Sequence, residues 1–320
     1  MQEIIVRDND SNQRIDRFLK KYLNKASVSF IYKHLRKKNI TLNGKKVSPE
    51  SMIQSGDVIK IFFSDDTIEM FKKDKVNLKS SKFPKIIYED ENIILMQKDK
   101  NILSHSDGVY EKNMVDMMIN YLIAKGEYIP RLEHTFRPSI CNRLDRNTSG
   151  ILIGAKNASA LREINEAIKK NGIDKFYLAL CIGDVKDFYD VSTLIHNDKK
   201  NIVRLGEGGK ESLTEVKNIV SNDDFSLVLV KLITGRTHQI RTVLNSRGHS
   251  IVGDRKYGDL SINKSFLKKY NYTSQFLHNY KIVFNDLGDI LKYLNGREFV
   301  CDLPKREYEI LGDIFDGFEF

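Results

Sequence analysis

Cysteine is scarce in this chain: three among 320 residues, Cys141, Cys181 and Cys301, odd in number and far apart. A disulfide framework or a CxxC-type zinc site is thereby excluded as an organising feature. Long apolar runs are absent too; none approaches the roughly 18 residues that span a bilayer. The opening MQEIIVRDND has neither the basic flank nor the apolar stretch of a secretory signal. The expectation is a reduced, soluble, cytoplasmic protein without membrane association. A phosphate-binding loop is missing as well. Its nearest lookalike, Gly206 to Lys210, has the wrong spacing and reads as a hairpin tip. No His/Cys/Asp/Glu cluster suggests a metal, so neither metal nor cofactor is expected. With 41% hydrophobic and 10% aromatic residues, disorder does not fit, and the length favours two domains.

Acids are nearly missing from one window. Between Arg14 and Lys46 stand eleven Lys/Arg and a single acid, Asp16. That window carries +10 against +9 for the whole chain, so everything outside it sums to −1. Its apolar residues are ordered: Ile15, Phe18, Leu19, Tyr22 and Leu23 share one helix face. A second helix starts with Ser27 as N-cap, turning Ile31 and Leu35 inward and Lys33, Arg36 and Lys37 outward. Asn43-Gly44 signals a hairpin turn, and Val58 to Phe63 reads as a strand. A charged helix face is often only a solvated surface, but one-signed charge this concentrated is better explained by phosphate neutralisation. Residues 67–82 are charged, Ser/Lys-rich and poorly patterned. They read as a linker between a domain over 1–66 (core 13–63) and a larger one over 83–320.

The larger domain alternates strand-like runs with a few helices. Strands are expected at Ile86–Tyr88, Ile93–Met96, Ile151–Ile153, Phe176–Ile182, Leu227–Val230 and His278–Phe284, and helices at Val115–Ile123 and Leu161–Lys170. The fold class expected is α+β, a small helical and sheet module followed by a domain on a mainly antiparallel sheet. Three segments stand out. In Asn142 to Gly150, an acid, Asp145, sits between two arginines before an apolar strand; it either carries chemistry or merely caps its turn and pairs with Arg143 or Arg146. Tyr177, on an otherwise apolar strand, alone reads as a core tyrosine. In Leu232 to Arg241, Arg236 and Arg241 lie five apart, which on one helix separates them by about 140° and keeps them from one site. For Arg236 a phosphate or surface contact suffices.

QRIDRFLKKYL, SVSFIYKHLRKKNITLNGKKV and SGDVIKIFF resemble an S4 domain, an RNA-binding module whose second helix and following turn meet structured RNA. By position this implicates Lys33, Arg36, Lys37 and Lys38. RLDxxTSG at Arg143–Gly150, KxYLAL at Lys175–Leu180 and TGRTHQIR at Thr234–Arg241 then resemble, in order and spacing, the RluA-type RNA pseudouridine synthases. The GD–YG loop at Gly253–Gly258 and Phe276-Leu277-His278 extend the match. The front segment looks most like the RluC branch, which modifies bacterial large-subunit (23S) ribosomal RNA. Asn142 departs from the family's usual His, and Gln97-Lys98-Asp99 from its common Lys-Pro.

The resemblance implies isomerisation of uridine to pseudouridine in structured RNA, without cofactor or metal; nothing in the sequence demands more than a monomer. Asp145 would be the catalytic carboxylate and Arg241 its basic partner. Tyr177 would lie against the uracil and serve in proton removal at C5. Leu277 would pack on the other face, with Arg143, Arg236 and His238 completing the substrate contacts. Three rivals remain: a non-catalytic S4-type RNA-binding or ribosome-assembly factor, a synthase acting on another RNA such as tRNA, and an aspartate-nucleophile phosphotransferase. The last wants a second acid where Asn147 stands, and magnesium.

Overall fold

The computed structural model describes residues 1–72, 82–108, 112–197 and 202–318. No helix among them is long and apolar enough to cross a membrane.

The N-terminal unit contains β1 (Gln2–Ile5), β2 (Gln13–Arg14), α1 (Ile15–Tyr22), α2 (Val28–Arg36), β3 (Ile40–Leu42), β4 (Met52–Ile53), β5 (Val58–Ile61) and α3 (Asp65–Phe71). Strands β1, β5 and β3 form an antiparallel sheet in that order, and β2 pairs β4. The α1 face expected from periodicity is buried throughout, from Ile15 to Leu23. Ser27 caps α2 by accepting from the Phe30 amide. Asn43 and Gly44 both take positive φ, so the expected turn forms. Its return strand is reduced to a single Leu42–Lys45 bridge, because β3 pairs with β5 instead. The segment read as a linker starts as structure: α3 is capped by Ser64 and sends Ile68 into the core of the N-terminal unit. Residues 73–81 of that segment lie outside the described residues.

The larger unit is built on an eleven-stranded sheet. Its strands are β6 (Lys85–Glu89), β7 (Ile93–Lys98), β8 (Ser139–Ile140), β9 (Ser149–Ala155), β10 (Ile173–Ile182), β11 (Phe188–Asn197), β12 (Ile202–Leu205), β13 (Lys210–Ser221), β14 (Phe225–Leu232), β15 (Leu277–Phe284) and β16 (Glu298–Val300). The order is β12-β11-β13-β14-β10-β15-β9-β7-β6, with β16 on β15 and β8 on β9. Among the described strands only β9 and β15 pair in parallel, so the expected mainly antiparallel α+β fold is what forms. Helices are α4 (Met114–Ala124), α5 (Ala158–Lys169), α6 (Gln239–Ser246), α7 (Leu260–Tyr270) and α8 (Lys305–Ile314).

Both faces of the sheet's middle are covered. Along β7, Ile94 and Met96 pack with α4 while Ile93 and Leu95 pack with α5, the alternation of a strand with two dry faces. The two units touch through the first loop. The buried Asp10 carboxylate accepts from the Thr135 amide (3.1 Å) and hydroxyl (2.6 Å), and the Asn9 side chain accepts from the Ala158 amide at the start of α5.

Candidate active site

One end of the sheet gathers the three sequence segments. The Asp145 loop runs into β9, Tyr177 lies on β10, Leu277 opens β15, and the Gly235 turn joins β14 to α6. A register shift beside Tyr177 in the β10–β15 pairing marks a bulge, a device that re-aims a side chain.

The Asp145 loop is held from beneath. Lys98, fully buried at the end of β7, donates to the carbonyls of Thr148 (2.7 Å), Arg146 (2.9 Å) and Asp99 (3.1 Å). Three acceptors match the three donors of an ammonium. Burial nonetheless pulls its pKa down to about 7. The Ser104 hydroxyl donates to the Leu144 carbonyl and accepts from the Leu144 amide. Asn142, where histidine was expected, accepts from the Ile153 amide (2.8 Å) and donates to the Ile151 carbonyl (3.2 Å), tying the loop to β9. Gly150 has φ +117, and a Cβ there would lie 2.2 Å from the Asn279 carbonyl oxygen of β15, so the position admits only glycine.

The Asp145 carboxylate accepts from Arg241 Nη1 at 2.8 Å, while the flanking Arg146 donates to Asn101. Arg241, 6% exposed on α6, is gripped from behind by Asp254, 1% exposed, through Nε–Oδ2 at 2.6 Å and Nη2–Oδ1 at 2.8 Å. Burial favours the neutral acid at Asp254, but the Arg241 bonds and charge outweigh it and hold this carboxyl below its ordinary range. Arg241 is correspondingly raised, its own burial overcome by the two carboxylates. Fixed on one side, the guanidinium presents Nη1 to Asp145 with little freedom.

Arg236 corrects the expectation that it and Arg241 face apart. It precedes α6, which starts at Gln239, so helical spacing does not apply and both arginines line one cavity. Gln239 shapes that turn: its Oε1 accepts from the Arg236 amide (3.0 Å) and the Thr234 hydroxyl (2.9 Å), and its Nε2 donates to the Leu213 carbonyl and Thr214. His238, the residue before the helix, takes left-handed φ 52.

A cavity of about 60 Å³ is lined by Asp145, Tyr177, Arg241, Arg143, Leu277, Arg236 and His238. The seven residues assigned to catalysis and uridine contact therefore meet at one place. Burial, and secondarily the charge of Asp145, push the Tyr177 phenol well above its ordinary pKa, so it stays protonated at neutral pH. Burial likewise pulls the His238 imidazole below its ordinary value, leaving it neutral. Lys98, Gln239, Asp254 and Tyr257 were missed as parts of this cluster. The one available signal was a second acid thirteen residues beyond Arg241, in the GD–YG loop. Lys33, Arg36, Lys37 and Lys38, on and after α2 of the N-terminal unit, are all exposed and make no ion pair among the described residues. The cysteines are no rival nucleophiles: burial pushes Cys141 and Cys301 up to about 12, and Cys181 is raised further.

This site sits on the architecture of an RNA-modifying isomerase. The RNA pseudouridylate synthase family matches residues 92–246. The fold is similar to that of human RNA pseudouridylate synthase domain containing 4, with TM-score 0.57 and 20% identity over 72% of this chain and 92% of that one. An "Uncharacterized RNA pseudouridine synthase" of Mycoplasma capricolum is 36% identical, across 94% of this chain and 97% of the relative. Ribosomal large subunit pseudouridine synthase C of Vibrio vulnificus is 31% identical over 88% of each chain. The chain belongs to the RluA-type RNA pseudouridine synthases, and its activity is isomerisation of uridine in RNA.

Proposed function

We propose that the substrate is large-subunit (23S) ribosomal RNA or its precursor, and that Asp145 carries the reaction. The observation that carries the reading is the Asp145–Arg241 pair at 2.8 Å, set in a cavity with a buried tyrosine. The isomerisation breaks N1–C1′, turns the base and forms C5–C1′, while the C5 proton is exchanged for one at N1; no redox equivalent enters. An ionised carboxylate beside a fixed cation suits nucleophile or base. Tyr177 lies against the uracil as a neutral phenol, with Leu277 on the opposite face. Its retained proton disfavours Tyr177 as the base at C5, and the Asp145 carboxylate, free again once C5–C1′ has formed, takes that proton instead. Arg143, Arg236 and His238 contact the flipped nucleotide and its phosphates. Lys33, Arg36, Lys37 and Lys38 bind RNA phosphates, largely through shape and charge. The ribosomal target is supported by the names of relatives about 30% identical and by the basic N-terminal unit. The protein acts as a monomer, without metal or cofactor, in the cytoplasm.

The test is tritium release from 5-³H-uridine-labelled large-subunit ribosomal RNA, run with wild type and Asp145→Asn, with and without chelator. Chelator-insensitive release by the wild type alone is the expected result. Release by Asp145→Asn removes that residue from its role, and release only from transfer RNA moves the substrate. Tight binding without release from any RNA leaves the non-catalytic factor.

A further inference from the structure

Tyr257 lies 112 positions beyond Asp145 in the chain, yet its hydroxyl touches the imidazole that faces that carboxylate. The phenol oxygen accepts from the Val203 amide of β12 at 2.8 Å and lies 2.9 Å from His238 Nδ1. An amide can only donate, so the Val203 bond is fixed in direction. The phenol's one proton then has His238 Nδ1 as its acceptor. The reverse arrangement, with Nδ1 protonated, leaves the phenol proton without a protein acceptor among the described residues and turns the Nε2 lone pair toward the Asp145 carboxylate, 3.8 Å away. Both consequences are unfavourable. With the phenol donating, Nε2 carries the ring proton and faces Asp145 Oδ2. At 3.8 Å the two do not hydrogen-bond, so the Nε2 proton is left to donate to an oxygen of a nucleotide bound beside the pair.

We infer that Tyr257 is a positioning residue that fixes His238 as its Nε2–H tautomer, aiming a neutral donor at an oxygen of the uridine held beside Asp145. This rests on the cavity being the uridine site. Tyr257 is itself anchored: its amide donates to Asp254 Oδ1 (3.2 Å), its carbonyl accepts from the Ser250 hydroxyl (2.9 Å), and its ring lies 5.0 Å from the Arg241 guanidinium carbon. One aromatic side chain thus touches both donors that face Asp145. The left-handed backbone of His238, costly for a non-glycine residue, is held in part by this bond.

The experiment is long-range ¹H–¹⁵N spectroscopy of the full chain labelled at its seven histidines, with His238 identified by its loss in His238→Gln. The expected wild-type pattern at neutral pH is a protonated Nε2 and an unprotonated Nδ1. Tyr257→Phe should give mixed tautomers, and its single-turnover rate at saturating ribosomal RNA should fall about tenfold, with the half-saturating RNA concentration changed less than twofold. His238→Gln, whose amide nitrogen reaches the Nε2 position, should keep more activity than His238→Ala. An Nδ1–H tautomer or an imidazolium in the wild type overturns the proposal, as does Tyr257→Phe with unaltered tautomer and rate. Should Tyr257→Phe not fold, the wild-type tautomer still decides. Absence of any pseudouridine formation by the wild type counts against the functional reading and leaves the tautomer result standing.

Discussion

Two carboxylates share Arg241, and the structure assigns them opposite sensitivities. Asp254 Oδ1 accepts three bonds, from Arg241 Nη2 and the amides of Lys256 and Tyr257, while Oδ2 accepts one, from Arg241 Nε. Asp254→Asn keeps the Oδ1 bonds and places an NH₂ against the Nε–H donor. The loss is one buried charge-assisted bond, about 1.5–3 kcal/mol, plus a donor–donor contact and an undercompensated buried cation. We expect destabilisation of about 3 kcal/mol and a fall in Tm of roughly 6–12 °C. Asp145→Asn removes the charge of a side chain that is 29% exposed and makes one bond to an arginine that Asp254 still neutralises. Its cost should stay below about 1 kcal/mol, while activity disappears. Acid provides a second readout. Because Asp254's folded pKa is depressed, its stabilisation is complete above the unfolded carboxyl value near 4 and is lost as pH falls through the folded value. The gap between wild type and Asp254→Asn should therefore narrow below about pH 4. Thermal and urea unfolding of the two variants across pH, with tritium release alongside, measures all of this. Equal destabilisation by both substitutions, or an unchanged Tm for Asp254→Asn, would refute the reasoning.

Lys98→Met should loosen the Asp145 loop and lower the saturating rate several-fold with RNA affinity preserved; an unaltered rate argues that the other loop bonds suffice. Since burial sets the folded pKa of Lys98 near 7, below its ordinary 10.5, the folded state's disadvantage is complete below about pH 7 and is relieved as pH rises toward the unfolded value. Urea midpoints of wild type and Lys98→Met should accordingly shift in the wild type's favour as pH rises from about 7 to about 10, roughly the span over which that relief develops. Changing Lys33, Arg36 and Lys37 together to alanine should weaken RNA binding at least tenfold and reduce the salt slope by about 3, sparing the saturated single-turnover rate; a collapse of that rate would show that these residues do more than bind. Gly150→Ala, which forces a Cβ onto the Asn279 backbone at positive φ, should cost more than about 2 kcal/mol and shift Tm accordingly; a wild-type Tm would show that β9 and β15 separate easily.

What could be read from the chain follows burial. Helix α1 and strands β7, β9, β10, β14 and β15 declare themselves because their apolar positions are dense and regular. Strands β11 and β13 escape notice because they lie toward the sheet's outer edge, where Tyr189, Val191 and Lys217 face solvent and Asp190, Ser192, Ser212 and Thr214 face inward. Composition reads such alternation as loop, and only pairing, of β13 with β14 and of β11 with β13, makes it sheet. The site divides the same way. Asp145, Tyr177 and Arg241 stand in distinctive local strings, so motif and family resemblance find them. Asp254, Lys98 and Tyr257 act by holding those residues in place; the GD–YG loop marks Asp254 and Tyr257 as part of a motif without showing what they hold, and the sequence neighbours of Lys98 give no hint. Lys98 looks like one more surface lysine after a strand until the carbonyls of Arg146 and Thr148 close over it. A fixed arginine requires a buried counter-charge, and a fixed loop requires donors beneath it. The kind of missing partner can therefore be deduced from the catalytic strings alone, while its address in the chain is settled only by the fold.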